Sequence, residues 1–184
     1  AAALAEIEIR GAWLQAEFWG RHWCVAAGNP LPVGPYRSMR RYLAEAPDAT
    51  FANDALLQAL KRLSSVDDTH PGLRDRIEAL DATPTLPAWS RGSALALLGG
   101  GARQWVKYFD KQWCSNNATE WKQHHAWLER VRARAEVLGT SMPQNSAAEL
   151  VELARLKRQL DPHADVRAGY EHALERSPDY PPAL

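Results

Sequence analysis

Cysteine is nearly absent: two residues, Cys24 and Cys114, in a chain of 184. Two are too few for a disulfide framework, and their spacing fits no zinc motif. Each falls beside a tryptophan in an apparent helix, which reads as a buried free thiol, with one bridge between them left open. An excess of one charge is absent too. Lys and Arg number 22 and Asp and Glu 22, so no overall field draws the chain to nucleic acid or to an anionic membrane. No run approaches the ~18 apolar residues of a membrane span, so no transmembrane segment is expected in this chain. No charged-then-apolar signal peptide marks its start. Strand-like alternation is missing as well, which leaves an all-α chain of about eight helices.

What is plentiful is tryptophan. Trp13, Trp19, Trp23, Trp89, Trp105, Trp113, Trp121 and Trp127 stand mostly at helical spacing with other apolar residues. That pattern reads as a core built from large rings rather than a ligand-stacking surface. Residues 2–27 read as one helix, with Leu4, Ile7, Ile9, Trp13, Leu14, Phe18 and Val25 on its apolar side. Gly11 and Gly20 weaken it, or mark the close approach of another helix. Gly28 to Pro35 hold too much proline and glycine for regular helix. They form either a plain connector or a loop lining a cleft. Tyr36 to Ala46 is a short helix carrying a basic cluster, Arg37, Arg40 and Arg41. Phe51 to Leu63 is amphipathic, with Leu56, Leu57, Leu60 and Leu63 as its core stripe and Asn53 or Asp54 as its cap.

Asp81 to Pro87 is a proline-marked linker. Gly99-Gly100-Gly101 breaks a helix and lacks the Lys-Ser/Thr of a phosphate loop. The longest helical pattern runs from Ala102 to Leu138, interrupted near Ser115-Asn116-Asn117. His124-His125 lies within it and fails as a metal site. Adjacent helical residues point about 100° apart, and neither has a histidine three or four positions away.

The stretch with the most chemistry is Asp67-Asp68-Thr69-His70-Pro71-Gly72-Leu73-Arg74-Asp75-Arg76-Ile77-Glu78-Ala79-Leu80. Pro71 suits the first turn of a helix, where its missing N–H costs nothing. Thr69 or Asp68 can cap that helix, and Leu73, Ile77 and Leu80 give it an inward face. His70 then stands at a helix mouth, as a turn residue or as a polar group that meets a ligand.

Thr69-His70-Pro71-x-x-x-x-Arg76-Ile77-x-x-Leu80 resembles the (S/T)HP…(E/D)R(I/L/V)xxL segment near the end of the catalytic domain in one zinc metallopeptidase family. That family holds the CAAX-prenyl endopeptidases and the HtpX-type heat-shock membrane peptidases, and many bacterial members carry C-terminal helical repeats. The Trp/Phe-rich helix before the motif, and the linker, Trp-studded helix and repeat-like tail after it, follow a similar order. The resemblance covers roughly residues 1–135. It implies that His70 stands beside the zinc, polarising the scissile carbonyl or stabilising the oxyanion, and that Arg76 holds the loop or pairs with an acidic residue near the ligands. Glu6, Glu8 and Glu17 are weighed as a third ligand, but the Glu-x-x-x-Asp pattern expected there is missing, and they read as solvated helix charges. The family's His-Glu-x-x-His occurs nowhere in the chain. The expectation is therefore a C-terminal portion whose zinc ligands lie in an upstream half, inactive by itself. A bacterial, membrane-associated or cell-envelope setting would come from segments outside this chain.

Residues 145–184 resemble a tetratricopeptide repeat. Tyr170-x-x-Ala173-Leu174-x-x-x-Pro178 matches the second helix and its exit, and Leu150, Leu153 and Ala154 match the first. Lys157, Val166 and Gly169 depart from the pattern. The expected organisation is 1–82, the C-terminal part of a metallopeptidase-like domain; 83–144, linker and long helix; and 145–184, a repeat-like helix pair. The expected partners are a protein or peptide substrate and a protein bound by the tail. Two alternatives stay open: a non-enzymatic helical-repeat interaction module, and an inactive peptidase scaffold.

Overall fold

A computed structural model describes residues 1–65, 70–89 and 94–181. The chain is all-α, with about eight helices and no strand among the described residues. It gathers into two compact units, Ala1–Trp19 with Pro35–Phe109, and Gly20–Gly34 with Asp110–Leu184. The first unit thus runs past position 82, and the second takes in both 110–144 and the helix pair that follows.

The first unit is built on α1 (Ala2–Trp13), followed by a π-helical turn, Leu14–Phe18, that leads into α2 (Trp19–Cys24). After α3 (Tyr36–Tyr42) come α4 (Ala49–Lys61) and α5 (Leu73–Glu78). Ala5 and Ile9 of α1 meet Ala52 and Leu56 of α4 and Leu73 and Ile77 of α5, all buried. Alanines at two of these positions let the helices come close. A Cβ added at Gly11 would meet nothing within 4 Å among the described residues, so no close helix crossing is seen there. In a π turn residues five apart share a face. Trp13 and Phe18 are such a pair, and both rings lie against Tyr42, at 4.2 and 5.7 Å.

Helix α4 starts earlier than its leucine spacing indicates. Its cap is Asp48, which accepts the Phe51 N–H at 2.9 Å, rather than Asn53 or Asp54. Of the expected stripe only Leu56 is buried, while Leu57 and Leu63 are exposed. Arg10 ties α1 to the end of α3 by donating to the carbonyls of Leu43 and Glu45, at 2.7 and 3.1 Å. Helix α6 (Ala102–Asn116) opens with Trp105, Tyr108 and Phe109, each about half exposed. The tryptophans are therefore not all core.

The second unit centres on α7 (Ala118–Thr140), with α8 (Ala147–Leu160) and α9 (Arg167–Arg176). Trp121 and Leu128 are wholly buried with Ala26, and Trp23, Trp113, Trp127 and Leu160 pack around them. The segment Val25–Gly28 is a 3-10 turn in which the Ala26 carbonyl accepts the Asn29 N–H at 3.2 Å. Three side chains of α7 donate to carbonyls at its end. The Trp121 indole N–H donates to Asn29 at 2.8 Å, His125 Nδ1 to Ala26 at 2.6 Å, and Arg132 to Ala27 at 2.8 Å. Gly20 lies 3.8 Å, as an added Cβ would see it, from Pro162.

Helix α8 begins with a capping box: Ser146 accepts from Glu149 N–H, and the Glu149 carboxylate accepts from Ser146 N–H. Before it, the buried Asn145 donates to Leu138 at 2.8 Å and closes the turn from α7. Helices α8 and α9 bury Ala147, Leu150, Val151 and Ala173 between them, with Tyr170 and Tyr180 at the margin. A Cβ at Gly169 would stand 3.1 Å from that of Ala154, so glycine is what lets α9 approach α8 there.

Candidate functional site

The His70 turn sits between α4 and α5. Helix α5 starts at Leu73 with Gly72 as its N-cap, so Pro71 precedes the cap and is not in the first helical turn. The caps expected at Thr69 and Asp68 lie outside the described residues. A different device holds the start of α5. The Ser64 hydroxyl donates to the Asp75 carboxylate and accepts the Gly72 N–H at 2.6 Å. One serine thus satisfies a free N–H of the helix start and a carboxylate of its first turn. A Cβ at Gly72 would stand 3.0 Å from the Arg62 carbonyl, so little but glycine fits beneath this bridge. Leu73 and Ile77 then anchor the helix in the core of the first unit. Leu80, expected on that inward face, is exposed.

Arg76, on the side of α5 that meets α1, faces Glu8 at 3.9 Å, both side chains about one-third exposed. A pair this open contributes little to stability; it lies beside the apolar contact of α5 with α1. His70 is exposed and has no hydrogen bond or ion pair among the described residues. No such bond links His70 to Arg76. The structure therefore places Arg76 as a strut toward α1 and His70 as an unencumbered imidazole on the turn above.

The other candidates resolve differently. Glu6 pairs with Arg10 at 2.8 Å and Glu8 with Arg76, so both are engaged by arginines. Cys24 and Cys114 are free thiols rather than a bridge. Cys24 leans on the Gln159 carbonyl at 3.7 Å and Cys114 on that of Pro32 at 3.4 Å. Burial first, then Asp161 and Asp110 respectively, pushes both thiols up, away from the reactive thiolate. Among the described residues no three His, Cys, Asp or Glu side chains gather as metal ligands.

The adjacent histidines of α7 part company. His125 serves the Ala26 carbonyl, whereas His124 lies between Trp23 and Trp127, ring centroids 5.4 and 5.1 Å away. Its Nε2 is buried without a hydrogen-bond partner among the described residues. Burial holds the His124 pKa below the usual histidine value, against the opposing pull of Glu120 and of the Trp23 carbonyl. His22, packed on Trp113 and Trp121 at 5.1 and 5.6 Å, is lowered for the same leading reason, against the Val33 backbone and Asp110. Neither environment is announced by the local sequence, since each depends on rings far along the chain. No helix among the described residues is long and apolar enough to cross a membrane. The chain matches no family model, no curated protein and no solved structure.

Proposed function

We propose that the chain is the helical, non-zinc-binding portion of a zinc-dependent metalloendopeptidase, bringing a His-Pro turn to the active site and a helical tail for partner or substrate binding. The observation that carries this reading is the bracing under His70. Ser64 locks Gly72 to Asp75, and Arg76 meets Glu8, so an exposed imidazole is offered from a fixed base. An imidazole N–H there can donate to a peptide carbonyl oxygen as that oxygen gains charge, an interaction typically worth about 10²–10³ in rate. Arg76 is a positioning residue in this reading, acting through the seat of α5 on α1. In this reading the zinc ligands belong outside this chain.

The test uses the complete protein that carries this chain. Its zinc content and its cleavage of unfolded casein are measured, with and without His70→Ala. The expected result is zinc-dependent cleavage, with kcat falling about 10²-fold in the variant and zinc content unchanged. An unchanged kcat removes His70 from the mechanism. A complete protein with neither zinc nor cleavage overturns the peptidase reading.

A second reading, a helical-repeat interaction module, is favoured by the α8–α9 pair. Its close approach at Gly169 and Ala154 suits stacking of successive helix pairs. Under it, His70→Ala leaves every property of the protein unaltered.

A further inference from the structure

Beside the tryptophan cluster of the second unit lies an open cleft of about 410 Å³ lined by Trp23, Glu120, Gln123 and His124. We propose that this cleft binds a protonated alkylamine, with the Glu120 carboxylate as counter-ion, the Gln123 amide oxygen as a further acceptor and the Trp23 indole as the apolar wall. Its volume falls in the range of small-ligand sites, which pair apolar walls with a few convergent polar groups.

Four features select a cation. First, Glu120 is the one lining residue with a formal charge, and it makes no ion pair among the described residues. It sits in the first turn of α7 and is exposed, so its charge is satisfied by water until a ligand arrives. Second, burial disfavours the charged form of His124, so its imidazole is a weak competitor for that carboxylate. Third, the Trp23 ring is fixed from behind by Trp113 and Trp121, at 5.7 and 5.4 Å, and from the side by His124. A ring so held costs little entropy when it receives an ammonium or its first methylenes. Fourth, Glu120 and His124 are one helical turn apart and Gln123 lies between them, so the polar groups converge on one face of α7. An anion would meet Glu120 as a like charge. A neutral alcohol would fill the same volume but leave the carboxylate without a counter-ion.

The geometry also sets the expected strength. The cleft is open and Glu120 and Gln123 are exposed, so millimolar affinity is the scale for a small probe. The experiment uses n-butylammonium chloride as ligand and n-butanol, similar in size but uncharged, as control, at constant ionic strength. The readout is the set of tryptophan indole N–H resonances, with Trp23 assigned through Trp23→Phe.

The expected result is a saturable shift of the Trp23 resonance with butylammonium, at least fivefold tighter than any response to butanol. Glu120→Gln, a change at an exposed position, should erase that preference while leaving the remaining indole spectrum in place. Gln123→Ala should weaken the amine about twofold to threefold. Equal responses to amine and alcohol, no saturable shift with the amine, or a Glu120→Gln variant that binds the amine as the parent does would each overturn the proposal.

Discussion

Glycine to alanine inside a helix ordinarily stabilises, and the structure says where that rule reverses. Alanine is favoured over glycine by about 0.8–1 kcal/mol in a helix interior. At Gly11, in α1, nothing lies within 4 Å of an added Cβ, so Gly11→Ala should realise most of that gain. Gly169 lies in α9 with the same intrinsic preference, but its added Cβ would stand 3.1 Å from the Cβ of Ala154. The neighbour is a methyl fixed to the α8 backbone, not the far end of a flexible chain, so the helices themselves must part. Overpacking of this kind costs about 1–3 kcal/mol. Set against the propensity gain, Gly169→Ala should destabilise the second unit by about 1 kcal/mol, a fall of roughly 4–8 °C in its unfolding temperature. Urea unfolding followed by circular dichroism measures both variants. Ala154→Gly combined with Gly169→Ala relieves the contact, and the cycle should show a coupling of at least about 0.5 kcal/mol. If Gly169→Ala stabilises as much as Gly11→Ala, the close packing of α8 and α9 is refuted.

Three further outcomes are expected. Because His22 and His124 are held below their unfolded value by burial, their neutral forms favour the fold. The stability they contribute is whole above pH about 6.5 and is lost as pH falls through their lowered native values; urea midpoints at pH 7.5 and 5 should show the drop, and replacing both with glutamine should shrink it. Ser146→Ala removes the α8 capping box and should cost about 1 kcal/mol, read from the same unfolding curves. Cys24 and Cys114, whose thiols are pushed up by burial, should react slowly with iodoacetamide at pH 7.5 in the folded protein and rapidly in urea.

The all-α character was legible because it rests on local period and on the absence of alternation. What lay beyond the sequence was reach. Leu56, Leu57, Leu60 and Leu63 look equivalent as a stripe, yet α1 and α5 cover only part of it, and Leu63 falls past the end of α4. Helix α5 starts after Pro71 rather than on it, and the contact at its N-cap, Gly72 N–H to the Ser64 hydroxyl, reaches across eight residues where no local pattern shows it. His125 and Arg132 showed no local sign of their roles, since their acceptors Ala26 and Ala27 lie about a hundred residues away in the sequence. The Ser146-x-x-Glu149 capping box, by contrast, is written in the sequence and was there to be read. The His70 motif was readable as a turn beside a helix.

The second unit has a consequence for how the protein is made. Its first piece, Gly20–Gly34, is separated from the remainder by the whole of Pro35–Phe109. The Asn29 carbonyl leaves the ribosome 92 residues before the Trp121 indole that will bind it. At a synthesis rate of about 5–20 residues per second, that segment waits roughly 5–20 s for α7. Through that interval the Ala27 and Asn29 carbonyls lack their α7 donors, and Trp23 has none of its ring partners from α6 and α7. The helices α8 and α9 can join as soon as they appear, because their contacts are local. Docking of residues 20–34 must close a long loop. The nascent chain therefore carries an undocked, tryptophan-bearing segment for many seconds before the second unit can close.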